Sequence, residues 1–98
     1  MAQTFYYGPY YFNSVGLAPG ANFLVVWGPS NFSQHVITVT AHPFFPVDEL
    51  PPADRRLTVP YVHTHSPRRG GHYVHAAIRN VGLDIVDYFY VSMGGVLP

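Results

Sequence analysis

The sequence has no cysteine and no lysine, and only 10% of its 98 residues carry a charge. The missing cysteines exclude disulfides, thiolate nucleophiles and sulfur metal ligands, while leaving the compartment open. With no lysine and a formal net charge of zero, no field steers the chain toward nucleic acid or an anionic surface, and nucleic acid is not expected as a partner. Long apolar runs are also missing. The longest, Phe23-Leu-Val-Val-Trp27, is far shorter than the roughly 20 residues of a bilayer-crossing helix, so no membrane span is expected. No heptad or extended amphipathic period marks a helix. There is no Gly-x-Ser-x-Gly, no pair of carboxylates at working spacing and no phosphate-cradling glycine loop, so the reading is non-enzymatic, with no catalytic residue assigned. Met1 opens directly onto Thr4-Phe-Tyr without a basic or apolar leader. If Met1 is the native start there is no secretion signal; if it is not, a trimmed export peptide fits equally well.

Aromatic residues take the place of charge. Eight Tyr, seven Phe and one Trp are present, densest in Thr4-Phe-Tyr-Tyr-Gly-Pro-Tyr-Tyr-Phe12. An ordinary soluble domain is about 25% charged, and a chain this short buries only roughly 60–65% of its unfolded surface. Much of the surface is therefore uncharged and aromatic, the composition of a partner-binding or self-assembling surface.

Nine Gly and ten Pro divide the chain into short β-rich runs of a single domain. Phe5–Phe12 is interrupted by Gly8-Pro9 and reads as an extended arm or edge strand, dividing the chain into an aromatic segment 1–13 and a sandwich domain 14–98. Leu17-Ala-Pro-Gly20 is a turn in which proline sets φ and glycine accepts a positive one. Asn22–Trp27 reads as a buried strand ended by Gly28-Pro29-Ser30-Asn31. His35–Ala41 is the clearest strand, with Ile37, Val39 and Ala41 on its apolar face. The proline-rich segment from His42 to Arg56 is too long for a hairpin and predicts a crossover between sheets. Leu57–His65 and His72–Asn80 form a hairpin across Ser66-Pro-Arg-Arg-Gly-Gly71. Asn80-Val-Gly82, whose Asn and Gly tolerate the left-handed conformations of a turn, then leads into a strand over Ile85–Ser92, closed by Gly94-Gly95. Six or seven such strands predict an all-β Greek-key sandwich.

Val74 to Val91, an alternating strand followed by Asn-x-Gly and a strand ending in Phe89-Tyr-Val91, resembles immunoglobulin-like modules. It is most similar to the CARDB-type adhesion modules of prokaryotic surface proteins. Leu17-Ala-Pro-Gly20 leading into Phe23–Trp27 resembles an early core strand of those modules. The resemblance covers about half the chain. It implies an Ig-like sandwich used in adhesion or assembly and carries over no catalytic residue. The expected location is extracellular, at a cell or virion surface.

Four of the six histidines flank the hairpin loop: His63, His65, His72 and His75. With Leu57, Val59 and Tyr61 facing inward, His63 and His65 share that face. One register sets His65 opposite His72; a slip of one residue sets His63 opposite His75 and His65 beside Tyr73. Either register gathers three imidazoles, a set that Zn or Cu accepts; otherwise no cofactor is expected. Arg68 and Arg69, with Arg55-Arg56, are the basic concentration, balanced by Asp48, Glu49 and Asp54 and suited to pairing with the acidic loop of a neighbouring copy. Tyr6, Tyr7, Tyr10 and Tyr11 are candidates for stacking on a glycan, with Tyr73, Tyr88 and Tyr90 behind them. Asn31-Phe32-Ser33 matches the N-glycosylation acceptor pattern.

Two functions remain in view. In the first, the chain is a structural subunit that self-assembles into a filament, pilus-like fibre or shell. Phe5, Tyr6, Tyr7, Tyr10, Tyr11 and Phe12 then form the contact with Arg68 and Arg69, completing a neighbour's sheet by strand exchange. In the second, it is a small lectin-like module that binds carbohydrate or another ligand.

Overall fold

Strands account for all the regular structure in the computed structural model, which describes residues 3–30, 35–44, 53–69 and 71–97. They are β1 (Gln3–Phe12), β2 (Asn22–Ser30), β3 (Val36–Pro43), β4 (Leu57–Arg68), β5 (Gly71–Asn80) and β6 (Phe89–Leu97). Two antiparallel three-stranded sheets result, ordered β1-β6-β3 and β2-β5-β4, packed as a β-sandwich. Among these strands only β4 and β5 form a hairpin. Each of the other links passes from one sheet to the other, including the proline-rich connection, whose residues 45–52 lie outside the described part.

Proline explains which strands sit at the edges. Pro9 lies in β1, Pro29 in β2, Pro43 at the end of β3, and Pro60 and Pro67 in β4, whereas β5 and β6 have none. A central strand must donate N–H groups to neighbours on both sides, and proline has none to give. The two proline-free strands are the central ones. Around Gly8-Pro9 and Gly28-Pro29 the ladder shifts register, so β1 and β2 continue past each pair with a bulge instead of ending there.

The core is built from alternate residues of the two central strands: Val74, Ala76 and Ile78 of β5 against Phe89, Val91 and Met93 of β6, closed by Leu17, Val39 and Val86. Phe89 stacks on Phe12 at 5.3 Å and meets the edge of Phe23 at 5.4 Å, while Phe12 and Phe23 contact each other at 4.9 Å. This triad ties β1 and β2 to the centre of the sandwich. The N-terminal segment is thus an edge strand of its own sheet, paired with β6 from Gln3↔Leu97 to Phe12↔Phe89.

Several local expectations change. Asn22–Trp27 is buried on one side only, because Leu24 and Val26 point outward. The last strand begins at Phe89, since Val86 makes only an isolated bridge to Leu17, and it runs through Gly94-Gly95 to Leu97. The glycines let three strands approach closely: a Cβ at Gly94 would lie 2.9 Å from the Phe5 carbonyl oxygen. Neither Asn80 nor Gly82 adopts a positive φ. Asn80 is instead buried and fully bonded, and Gly82 lies where a Cβ would collide with the Asp54 carbonyl oxygen. Asp54 organises this end of the fold. Its carboxylate accepts hydrogen bonds from Arg56 at 2.7 and 2.9 Å and from the Leu83 N–H at 3.2 Å. The hydrogen bonds and charge of Arg56 hold the Asp54 carboxyl below its ordinary range.

Candidate functional site

Side chains alternate across β5, so Val74, Ala76 and Ile78 enter the core while Tyr73, His75, Ala77 and Arg79 face outward. The neighbouring strands extend these into rows: Leu24, Ala77 and Tyr61 in one, then Val26, His75 and His63, then Tyr73 beside His65. Ala77 is small and fully covered between its larger neighbours, although it lies on the outer side.

A bulge creates this face. At its start β4 pairs Leu57 with Asn80 and Thr58 with Arg79, the register that would bring His65 opposite His72. Between Thr58 and Tyr61, at Val59-Pro60, the register slips by one residue, and His63 comes opposite His75. The slip also reverses the side-chain sense. Leu57 and Val59 pack against the core, whereas Tyr61, His63 and His65 point outward instead of sharing their face. His72 falls on the opposite side of the sheet, where its Nδ1 lies 2.5 Å from the Ser66 hydroxyl oxygen. Of the four histidines that flank the loop, His63, His65 and His75 are therefore gathered, as the second register places them, and His72 stands apart.

The His63 and His75 rings stack at 4.8 Å and 11°. Tyr61 extends the stack over His63 at 5.5 Å, and His65 approaches His75 at 5.7 Å. Imidazole lone pairs lie in the ring plane, so near-parallel stacked rings do not aim their nitrogens at a common point. Among the described residues no three His or carboxylate groups are arranged around a metal position.

Burial and the nearby charges that His63 and His65 would carry both lower the pKa of His75 from its ordinary value. The folded state thus holds protons less tightly at His75 than the unfolded chain does. The stability this confers is present above the ordinary imidazole pKa and is lost as pH falls through the lowered one. Thermal unfolding followed by circular dichroism should show Tm falling as pH drops from 7 toward 5. His75→Gln should flatten that dependence.

The other predicted residues divide between surfaces. Phe5 and Phe12 pack on the core, Tyr6 and Tyr11 lie on the outer face of β1-β6-β3, and Tyr10 leans toward Trp27 at 6.2 Å. Tyr7 is exposed and meets Phe5 at 6.0 Å. Arg68 and Arg69 are exposed at the β4–β5 tip, away from a carboxylate among the described residues. Tyr73 belongs to one sheet and Tyr90 to the other, with Tyr88 just before β6, so these three do not converge. Asn31, Phe32, Ser33, Asp48 and Glu49 lie outside the described residues.

The sequence reading missed Leu24 and Val26. Every position from Phe23 to Trp27 is large and apolar, so the run has no alternation to reveal its outward side. Among the described residues no helix is long and apolar enough to cross a membrane. No protein-family model, curated protein or solved structure matches this chain.

Proposed function

We propose that this chain is a non-enzymatic structural subunit that associates with copies of itself through the outer face of β2-β5-β4. The observation that carries the proposal is the chemistry of that face. Leu24, Val26 and Tyr61 are 66%, 54% and 45% exposed, they adjoin the imidazole stack, and no charged side chain interrupts their rows. Two such faces can close over these rows with Arg79, one row beyond them, left at the solvated rim, and the aromatic content suits the centre of an interface.

Face-to-face contact is favoured over edge pairing because the edge strands contain proline and β1 and β2 are bulged, features that blunt strand addition. Exchange of β1 between copies would re-form its pairing with β6, but it must first withdraw Phe12 from the aromatic triad. The two-sheet sandwich is compatible with an Ig-like Greek-key module of a surface or adhesive assembly, and that finer reading belongs to the proposal.

The test is native mass by sedimentation at micromolar concentration and neutral pH. A dimer or larger particle is expected. A 10.9 kDa monomer throughout would overturn the proposal. Deleting residues 1–12 would be a poor test, because it removes Phe12 and one strand of a three-stranded sheet.

A further inference from the structure

The other sheet has an outward feature of a different kind. A shallow cavity of about 430 Å³ on β1-β6-β3 is lined by Tyr6, Pro9, Thr40, His42, Tyr90 and Ser92. Register explains its make-up. Thr40 pairs with Ser92 and His42 with Tyr90 across β3 and β6, so two hydroxyl side chains sit side by side next to an imidazole and a phenol. The bulge at Gly8-Pro9 interrupts β1 beside them.

The aromatic groups are held in place. Tyr90 stacks on Phe44 at 4.9 Å and 28° and packs against Tyr11 at 5.3 Å. Across the cavity Tyr6 is 63% exposed, with its hydroxyl 3.2 Å from the Ser92 hydroxyl. Among the described residues the lining contains no carboxylate and no guanidinium.

This combination selects its ligand. An anion finds no guanidinium and a cation no carboxylate among these residues. A purely apolar group would cover the Thr40 and Ser92 hydroxyls and lose their hydrogen bonds to water. A ring with an apolar C–H face and a rim of hydroxyls satisfies both parts: the rings take the C–H face, and Thr40, Ser92, His42 and the tyrosine hydroxyls exchange hydrogen bonds with the rim.

We propose that the Tyr6–Tyr90 cavity is a binding site for a neutral pyranose sugar. The site lies on the opposite sheet from the self-association face and does not depend on it. Its openness and few polar groups place the affinity for a single sugar at about 1 mM, roughly −4 kcal/mol.

Saturation-transfer NMR on the intact chain works whatever the size of the particle. The probes are glucose, galactose, mannose and N-acetylglucosamine, each tested alone. Transfer to the ring protons of at least one is expected. Tyr6→Ala, an exposed position, and Thr40→Val, which removes a hydroxyl at nearly constant shape, should each weaken it tenfold or more. Tyr10→Ala, in the separate cleft beside Trp27, should leave it unchanged. The proposal is overturned if none of the four sugars receives saturation, or if both Tyr6→Ala and Thr40→Val bind as the wild type does.

Discussion

Asn80→Ala should destabilise the fold by about 3–5 kcal/mol, a loss that lowers Tm by about 15 °C or more in a domain of this size. Asn80 is fully buried at the end of β5. Its side-chain amide donates to the carbonyl oxygens of Leu17 and Asp84, both at 2.8 Å, and its Oδ1 accepts from the Gly82 N–H at 2.9 Å. Its main chain holds the turn before β2 as well, accepting from Gly20 N–H at 2.8 Å and donating to the Ala21 carbonyl at 3.2 Å. One residue therefore joins the β1–β2 link to the β5–β6 link, the two irregular crossovers at that end of the sandwich. Alanine would leave the Asp84 carbonyl and the Gly82 N–H without these partners, while the Leu17 carbonyl would keep only its bond from the Val86 N–H at 3.0 Å. Each unsatisfied buried group costs about 1–3 kcal/mol, and the third lost bond adds to that. Asn80→Asp keeps the size and the acceptor but loses both donors and puts a carboxylate against two carbonyl oxygens, so it should be at least as harmful at neutral pH. Denaturant unfolding gives the test: the midpoint should fall at unchanged slope. An Asn80→Ala stability within about 1 kcal/mol of wild type would show that water replaces the amide and that the network is not what joins the crossovers.

The Asn-x-Gly signal at 80–82 marks the right place for a reason that differs from the expected turn geometry. Local rules succeeded where local forces decide the outcome. Leu17-Ala-Pro-Gly20 is such a case: Gly20 has φ of 82° and the Ala21 N–H donates to the Ala18 carbonyl at 2.9 Å, as a turn with proline then glycine at its centre requires. The β4–β5 hairpin and the crossover after β3 were legible for similar reasons, through loop length and composition. The proline distribution held still more, since strands with and without proline separate into edge and centre. The outward histidine face was not legible. It depends on a one-residue slip at Val59-Pro60, where proline marks an edge strand but does not say that the register shifts there, so Leu57 and Val59 pack on the core and Tyr61 turns outward. The extent of β6 was hidden too, because Gly94-Gly95 reads as a terminator unless close approach by β1 and β3 is known.

Leu24→Arg should abolish self-association while leaving the fold intact. Position 24 is 66% exposed and its side chain points away from the core, so the cost to the subunit itself is within about 0.5 kcal/mol. In the assembly the same guanidinium would enter a face whose rows offer Ala77, Tyr61, Val26 and imidazoles but no carboxylate. An unpaired charge taken out of water costs several kcal/mol, and about 4 kcal/mol is already a thousandfold in the association constant. The sedimenting species should become the 10.9 kDa monomer. Val36→Arg supplies the control: it is 58% exposed on β3, in the opposite sheet, and should leave the native mass unchanged. Equal loss of assembly in both variants would mean that added charge itself solubilises the chain, and would remove the case for the β2-β5-β4 face. Acid should reproduce the Leu24→Arg effect reversibly. Protonating His63, His65 and His75 places like charges within one ring stack, and two apposed copies double the repulsion. The same low charge that favours the proposed contact at neutral pH makes its imidazoles the groups by which acid would release it.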